Sequence, residues 1–137
     1  MTVNKERLIL WVDALRSGQY EQTDKRLKRD GKYCCLGVAC EVAVANGLEL
    51  DIRPFFEDSI GDENLPIEVS RWFGFDGDTQ DPLLGNYNTM DPEDEDYDAD
   101  WRQDVLATEA NDELLWSFER IADALENHYE LRVPANA

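Results

Sequence analysis

Three cysteines crowd into the stretch KYCCLGVAC, at positions 34, 35 and 40, and the chain holds one histidine, His128. Thiols can ligate zinc, exchange disulfides or act as nucleophiles. Structural zinc sites pair their ligands as C-x₂-C, repeated or completed by histidines. Here two cysteines are adjacent, the third follows five residues on, and the histidine is far away in sequence. No C-x-x-C redox motif is present. A nucleophile at Cys34 or Cys40 with His128 as its base is a third arrangement, and no spacing rule supports it. Cys35 and Cys40 fall inside an apolar segment, where free cysteine behaves as a small hydrophobe. The expected role is packing, at the point where a strand passes into a buried helix. No metal site and no cofactor is expected: the phosphate-cradling patterns GxxxxGK[ST] and GxGxxG are both absent.

Two charged clusters carry the other candidate chemistry. The first is KRLKRDGK, residues 25 to 32. Lys25, Arg26, Lys28, Arg29 and Lys32 surround a tight turn, with Tyr20 and Tyr33 at its edges. Arginine grips phosphate with two parallel hydrogen bonds, and tyrosine can stack on a base. These five bases with Tyr33 are therefore the candidate nucleotide or phosphate site. The plainer reading is a hairpin whose charged edges block edge-to-edge pairing. The second cluster is DPEDEDYDAD, residues 91 to 100, with seven acids: Asp91, Glu93, Asp94, Glu95, Asp96, Asp98 and Asp100. Set on an EF-hand loop starting at Asp96, position 6 is Trp101 instead of Gly, and position 12 is Ala107 instead of Glu. The calcium motif fails. The run reads as a solvated loop, or as a surface that imitates the charge of a nucleic-acid backbone and docks a basic partner.

The elements that must position these residues follow from periodicity. Val3 to Gly18 predicts a helix with Asn4 as N-cap, Val3 and Leu8 as a staple, and Leu8, Trp11, Val12 and Leu15 as the buried face. Asp30-Gly31 predicts a two-residue type I′ turn, flanked by strands Lys25 to Arg29 and Lys32 to Cys35. Residues 35 to 46 are apolar nearly all round and predict a central, buried helix ended by Gly47, with Gly37 permitting a close backbone approach. Pro66 fits position N1 of a short helix ended by Gly74. Residues 75 to 100 read as a long loop whose acidic part self-repulsion holds extended and mobile. Residues 101 to 110 read as a short helix broken at Asn111-Asp112. Ser117 caps a last helix with Phe118, Ile121, Ala122 and Leu125 inward, fading near Tyr129.

Composition bounds the whole. The 137 residues fit one domain, and 42% hydrophobic content with four Trp excludes general disorder. No apolar run approaches the ~20 residues needed to span a bilayer, and the N-terminus has no clean signal-peptide core. A cytoplasmic location with reduced thiols is expected. The formal charge is −18 and unevenly placed. Residues 1 to 53 hold nine bases and eight acids, net +1; residues 54 to 137 hold four bases and 23 acids, net −19. The second half repels nucleic acid and would attract a basic protein surface.

The segments ALRSGQY (14 to 20), KYCCLGVACEVA (32 to 43), LPIEVSRWFGF (65 to 75) and SFERIADALENH (117 to 128) together resemble a family of small proteins from tailed phages and prophages, marked by a CCLGV box. The resemblance spans most of residues 5 to 129; the acidic run departs from its plainer members. It implies expression inside a bacterial host and carries over no catalytic residue.

The sequence thus predicts an α+β domain, mainly helical, with a small antiparallel hairpin packed on a buried central helix. The expected function is non-enzymatic: a phage accessory protein that binds and inhibits a host factor, in counter-defence or host takeover, through its acidic surface. The alternative is a sponge for a nucleotide immune signal, using the basic hairpin and a homo-oligomer interface. A cysteine-dependent enzyme ranks last.

Overall fold

Asn4 opens the first helix in the computed structural model, which describes residues 3–56, 64–75 and 79–131. Helix α1 spans Lys5–Arg16, and the Asn4 side chain accepts the Arg7 backbone N–H at 3.1 Å. Its buried residues are Leu8, Trp11, Val12 and Leu15, as the 3.6-residue period requires.

Strands β1 (Lys28–Arg29) and β2 (Lys32–Tyr33) pair antiparallel around Asp30 and Gly31, at φ 54° and 80°. Both turn residues have the positive φ of a type I′ turn. The strands are shorter than expected. Lys25 takes a left-handed φ of 63°, and Cys34 already serves as the N-cap of the next helix. Two backbone hydrogen bonds, Thr23 to Tyr33 and Tyr33 to Glu21, add a third segment beside β2.

Helix α2 (Cys35–Ala45) is the centre of the molecule and packs on α1, on α4 (Ile67–Phe73) and on α5 (Ala107–Asp112). Residues 35 to 40 are all buried. Gly37 explains how the hairpin reaches the helix: a Cβ there would stand 1.8 Å from the Leu27 carbonyl oxygen. The Trp11 indole N–H donates to the Cys35 carbonyl at 2.9 Å, fixing α1 against the same turn. A four-residue helix, α3 (Arg53–Phe56), follows α2. Pro66 is the N-cap of α4 and not its first helical residue, because its ψ of 144° is extended; Gly74 ends the helix at φ 83°.

The predicted 75 to 100 loop is corrected by a second hairpin; residues 76–78 of it lie outside the described residues. Strands β3 (Leu83–Tyr87) and β4 (Gln103–Leu106) pair antiparallel with an irregularity between Leu83 and Gly85. The predicted helix at 101 to 110 gives way to β4 and then α5, which runs through Asn111 instead of breaking there, because the Asn111 side chain turns inward. Helix α6 (Phe118–Tyr129) begins at Ser117, whose hydroxyl accepts the Arg120 N–H, and buries Phe118, Ile121, Ala122, Ala124 and Leu125. It closes on α1, where Arg16 bonds Asp123 and, at 2.8 Å, Glu126. The result is a mixed α+β fold around one hydrophobic core, with two small antiparallel strand pairs at its periphery.

Candidate functional site

The three cysteines are free thiols and all are buried. The Cys34 sulfur accepts the Gly37 backbone N–H at 3.4 Å, standing where a serine or aspartate more often caps a helix. The Cys35 thiol donates to the Ala107 carbonyl at 3.7 Å. Burial pushes the Cys34 pKa up to about 12 and raises those of Cys35 and Cys40 well above the ordinary thiol value. A buried neutral thiol is a packing group, not a nucleophile. His128 lies exposed on α6, whereas Cys34 and Cys40 are closed inside the core. Among the described residues no group of three or more His, Cys, Asp or Glu converges to hold a metal ion.

The five cations lie within eight residues on and beside the first hairpin, but acids come with them. Arg29 pairs with Asp24 at 3.2 Å, and Lys32 stands 3.8 Å from Glu21. Lys25 is exposed and Arg26 half-buried. Lys28 lies over the rings of Tyr33 and Phe56, 5.0 and 5.6 Å from their centres. Tyr33 is only 9% exposed, with Tyr20 and Phe56 edge-on to it, and its hydroxyl donates to Glu41 at 2.8 Å. Burial, then the Glu41 carboxylate, raises its pKa. Its ring therefore has little open face on which a base could stack. An open cleft of about 390 Å³ lies at the foot of the hairpin, lined by Lys32, Gln22, Thr23, Asp24, Asn111 and Leu115.

Asn111 holds that foot together, a role the sequence did not signal: there it reads only as a helix break. Its oxygen accepts from the Cys35 backbone N–H at 3.2 Å and from the Gln22 side chain at 2.9 Å. Its nitrogen donates to the Thr23 carbonyl and to Asp112, each at 2.8 Å. All four hydrogen bonds of one buried amide are thus made, across three segments distant in sequence. Asp81 plays a similar part beside it in the chain fold. Its carboxylate accepts from the backbone N–H and hydroxyl of Thr108, and burial raises its pKa.

The acidic segment forms the long connection of the β3–β4 hairpin, and every residue from 91 to 100 is exposed. It is not extended. Asp91, Asp94 and Asp98 each accept the backbone N–H two residues on, from Glu93, Asp96 and Asp100, at 2.9 to 3.0 Å. Backbone bonds from Asp94 to Asp91, Tyr97 to Asp94 and Trp101 to Asp98 close the same three turns. Aspartate favours such turns because its short side chain reaches its own backbone. Asn88 then clasps the arm by donating to the Asp98 carbonyl at 2.9 Å. Among the described residues no cation pairs with any of the seven carboxylates. The nearest base in sequence, Arg102, donates to the carbonyls of Ala99 and Trp101. Tyr97 and Trp101 stand among the acids, each 38% exposed. The structure thus gathers the basic candidates at one hairpin and the acidic candidates at another.

Comparison with known proteins adds lineage. The model of one family, described as "Domain of unknown function (DUF8296)", matches residues 3–129. No curated protein matches the chain, and no solved structure does.

Proposed function

We propose, for this chain that belongs to the DUF8296 family, a binding role: the acidic arm docks on a basic surface of a partner protein and blocks it. One observation carries the reading. Seven exposed carboxylates are set on three closed turns, and no cation of the described chain neutralises them. Charges held by turns lose less conformational entropy on docking than charges on a free tail. Tyr97 and Trp101 add the aromatic surface on which interface energy concentrates. The net charge of −18 steers a basic partner toward the arm and turns nucleic acid away. With the bacterial host that the phage resemblance implies, the partner is a host protein whose nucleic-acid-binding or otherwise basic face is occupied, in the cytoplasm of that cell. No catalytic step is assigned: the three thiols are buried and held protonated.

A second reading, capture of a nucleotide at the basic hairpin, is favoured by the cleft of about 390 Å³ beside Lys32. It would rely on Lys25, Arg26, Arg29 and Lys32 rather than on stacking against Tyr33.

The test compares the protein with a variant in which the seven arm acids become Asn or Gln. Asn preserves the turn-forming oxygens of Asp91, Asp94 and Asp98. Each is used to capture protein from lysate of a susceptible bacterium at low and high salt. A basic protein held by the native arm, released at about 0.5 M salt and ignored by the variant, supports the reading. Equal capture by both proteins sinks it. A nucleotide released by heat from the native protein, without a protein partner, moves the function to the hairpin.

A further inference from the structure

At the base of the arm, where β3 meets α6, Trp116 is 6% exposed and Arg120 lies over its ring, 4.1 Å from guanidinium carbon to ring centre. Arg120 is one of four bases in residues 54 to 137, where 23 acids are present. Yet among the described residues no hydrogen bond or ion pair reaches its guanidinium; only its backbone N–H is engaged, by Ser117. Asp123, three residues on, is bound to Arg16 instead. An arginine has five N–H donors in a rigid fork, and here all are unclaimed. The contact with the Trp116 ring already restrains the guanidinium, so less side-chain freedom remains to be lost when an anion arrives.

Two clefts meet at this pair. Trp116 and Arg120 line both. The larger, about 380 Å³, runs under the arm and has an apolar wall of Met90, Pro92 and Leu114. The smaller, about 160 Å³, opens toward Tyr87, Ala124 and Asn127. The polar groups of the larger cleft are spent within the fold. Asn88 clasps the arm and accepts from the Met90 N–H, and the Thr89 hydroxyl donates to Gln103. Arg120 is the polar group left facing the cleft with its bonding capacity unused. The cleft is of mixed lining, with an apolar wall on one side and a single uncommitted polar anchor, and its volume is at the lower end of the range for small-ligand sites.

We propose that Arg120 and Trp116 form a binding site for a carboxylate with a single negative charge and an apolar body. The guanidinium fork matches a carboxylate with two parallel hydrogen bonds. The apolar wall takes the body, and Trp116 closes its inner side. The surroundings choose the charge. The arm carries seven carboxylates and the smaller cleft includes Asp123, so each further negative charge on a ligand adds repulsion. A monocarboxylate is preferred over a phosphate ester or a nucleotide. Two sources share this chemistry: a free carboxylic acid, and the C-terminus of a peptide ending in an apolar residue. The site does not depend on the partner proposed for the arm.

The experiment uses the full chain labelled with nitrogen-15 and follows the Trp116 indole and Arg120 Nε–H resonances. The probes are phenylpropionate and an acetylated peptide ending Gly-Gly-Leu, each beside its neutral amide. Both acids should shift both resonances saturably, with the amides and an Arg120→Gln variant binding at least about tenfold more weakly. Arg120 is exposed, so that variant should keep the native spectrum elsewhere. Tighter binding of the peptide identifies a chain terminus as ligand; equal binding identifies a free acid. The arm-neutralised variant should bind either acid more tightly, which separates this site from the arm. The proposal is overturned if acid and amide bind alike, if Arg120→Gln binds as well as the native protein, or if neither resonance moves up to about 10 mM probe.

Discussion

Cys34 carries at one residue the decision between catalysis and packing. The residue is 3% exposed, its sulfur caps α2, and burial pushes its pKa up to about 12. At pH 8 a thiol with that pKa is thiolate in only about 10⁻⁴ of molecules. Iodoacetamide at that pH should therefore modify the folded protein at least about 100-fold more slowly than the protein in urea. Rapid labelling of Cys34 in the folded chain would return the nucleophile to consideration. The same shift sets a pH limit. The unfolded thiol ionises near its ordinary value of 9.0, and the folded one only near 12. The stability that depends on the protonated form is complete below pH 9 and lost as pH rises toward 12. The denaturation midpoint should fall over that window, and less steeply in Cys34→Ala. Packing as the role of the cysteines was legible because they sit in an apolar helical run without metal spacing. Asn111 was not legible. Its value lies in partners 76 to 89 residues away, and locally it reads as a helix breaker.

At the scale of elements, one contact joins the first hairpin to the central helix. Gly37 lets the Leu27 backbone lie against α2, and Cys34 donates its backbone N–H to the same Leu27 carbonyl at 3.2 Å. Gly37→Ala would place a methyl 1.8 Å from that oxygen. Backbone cannot give way as a flexible side chain can, so the loss should be about 3 kcal/mol, at the upper end of overpacking costs. Urea denaturation measures it; a change below about 0.5 kcal/mol, the range of ordinary surface substitutions, would show that the two elements do not bear on each other. The elements found in sequence share a cause: each is signalled within a few residues of itself. Asn4 and Ser117 cap helices with clear apolar stripes, and Asp30-Gly31 supplies two positive φ angles in the register of a tight turn. The second hairpin lacks such a signal. Leu84 and Val105 are the fully buried apolar side chains of its two strands, and Gly85 at φ 131° interrupts the first. Fifteen residues, 88 to 102, separate its strands. The acidic run was read as self-repelling chain because its charge is evident in sequence, whereas the aspartate-to-backbone bonds that turn it are not.

The whole molecule carries its charge as a stress as well as a signal. Folding gathers a net −18 into a volume with a radius of gyration of about 14 Å. At 10 mM salt the screening length is about 30 Å, so every charge acts on every other; at 0.5 M it is about 4 Å, and only immediate neighbours interact. The opposing term is the attraction within ion pairs, chiefly that of Arg16 with Glu119, Asp123 and Glu126, which joins the two ends of the chain through α1 and α6. Salt weakens that cluster too, but surface pairs contribute only about 0–1 kcal/mol each, and Arg16 is partly shielded at 22% side-chain exposure. Self-repulsion should dominate. The thermal midpoint should then rise by about 3–6 °C between 10 mM and 0.5 M sodium chloride, corresponding to about 1 kcal/mol. Neutralising the seven arm acids brings the net charge from −18 to −11, so that variant should start from a higher midpoint and gain less from salt. A midpoint that falls with salt in the native protein would give the balance to the Arg16 cluster. The arm would then be a surface the fold carries without strain, and its charge density could not be read as a cost retained for binding.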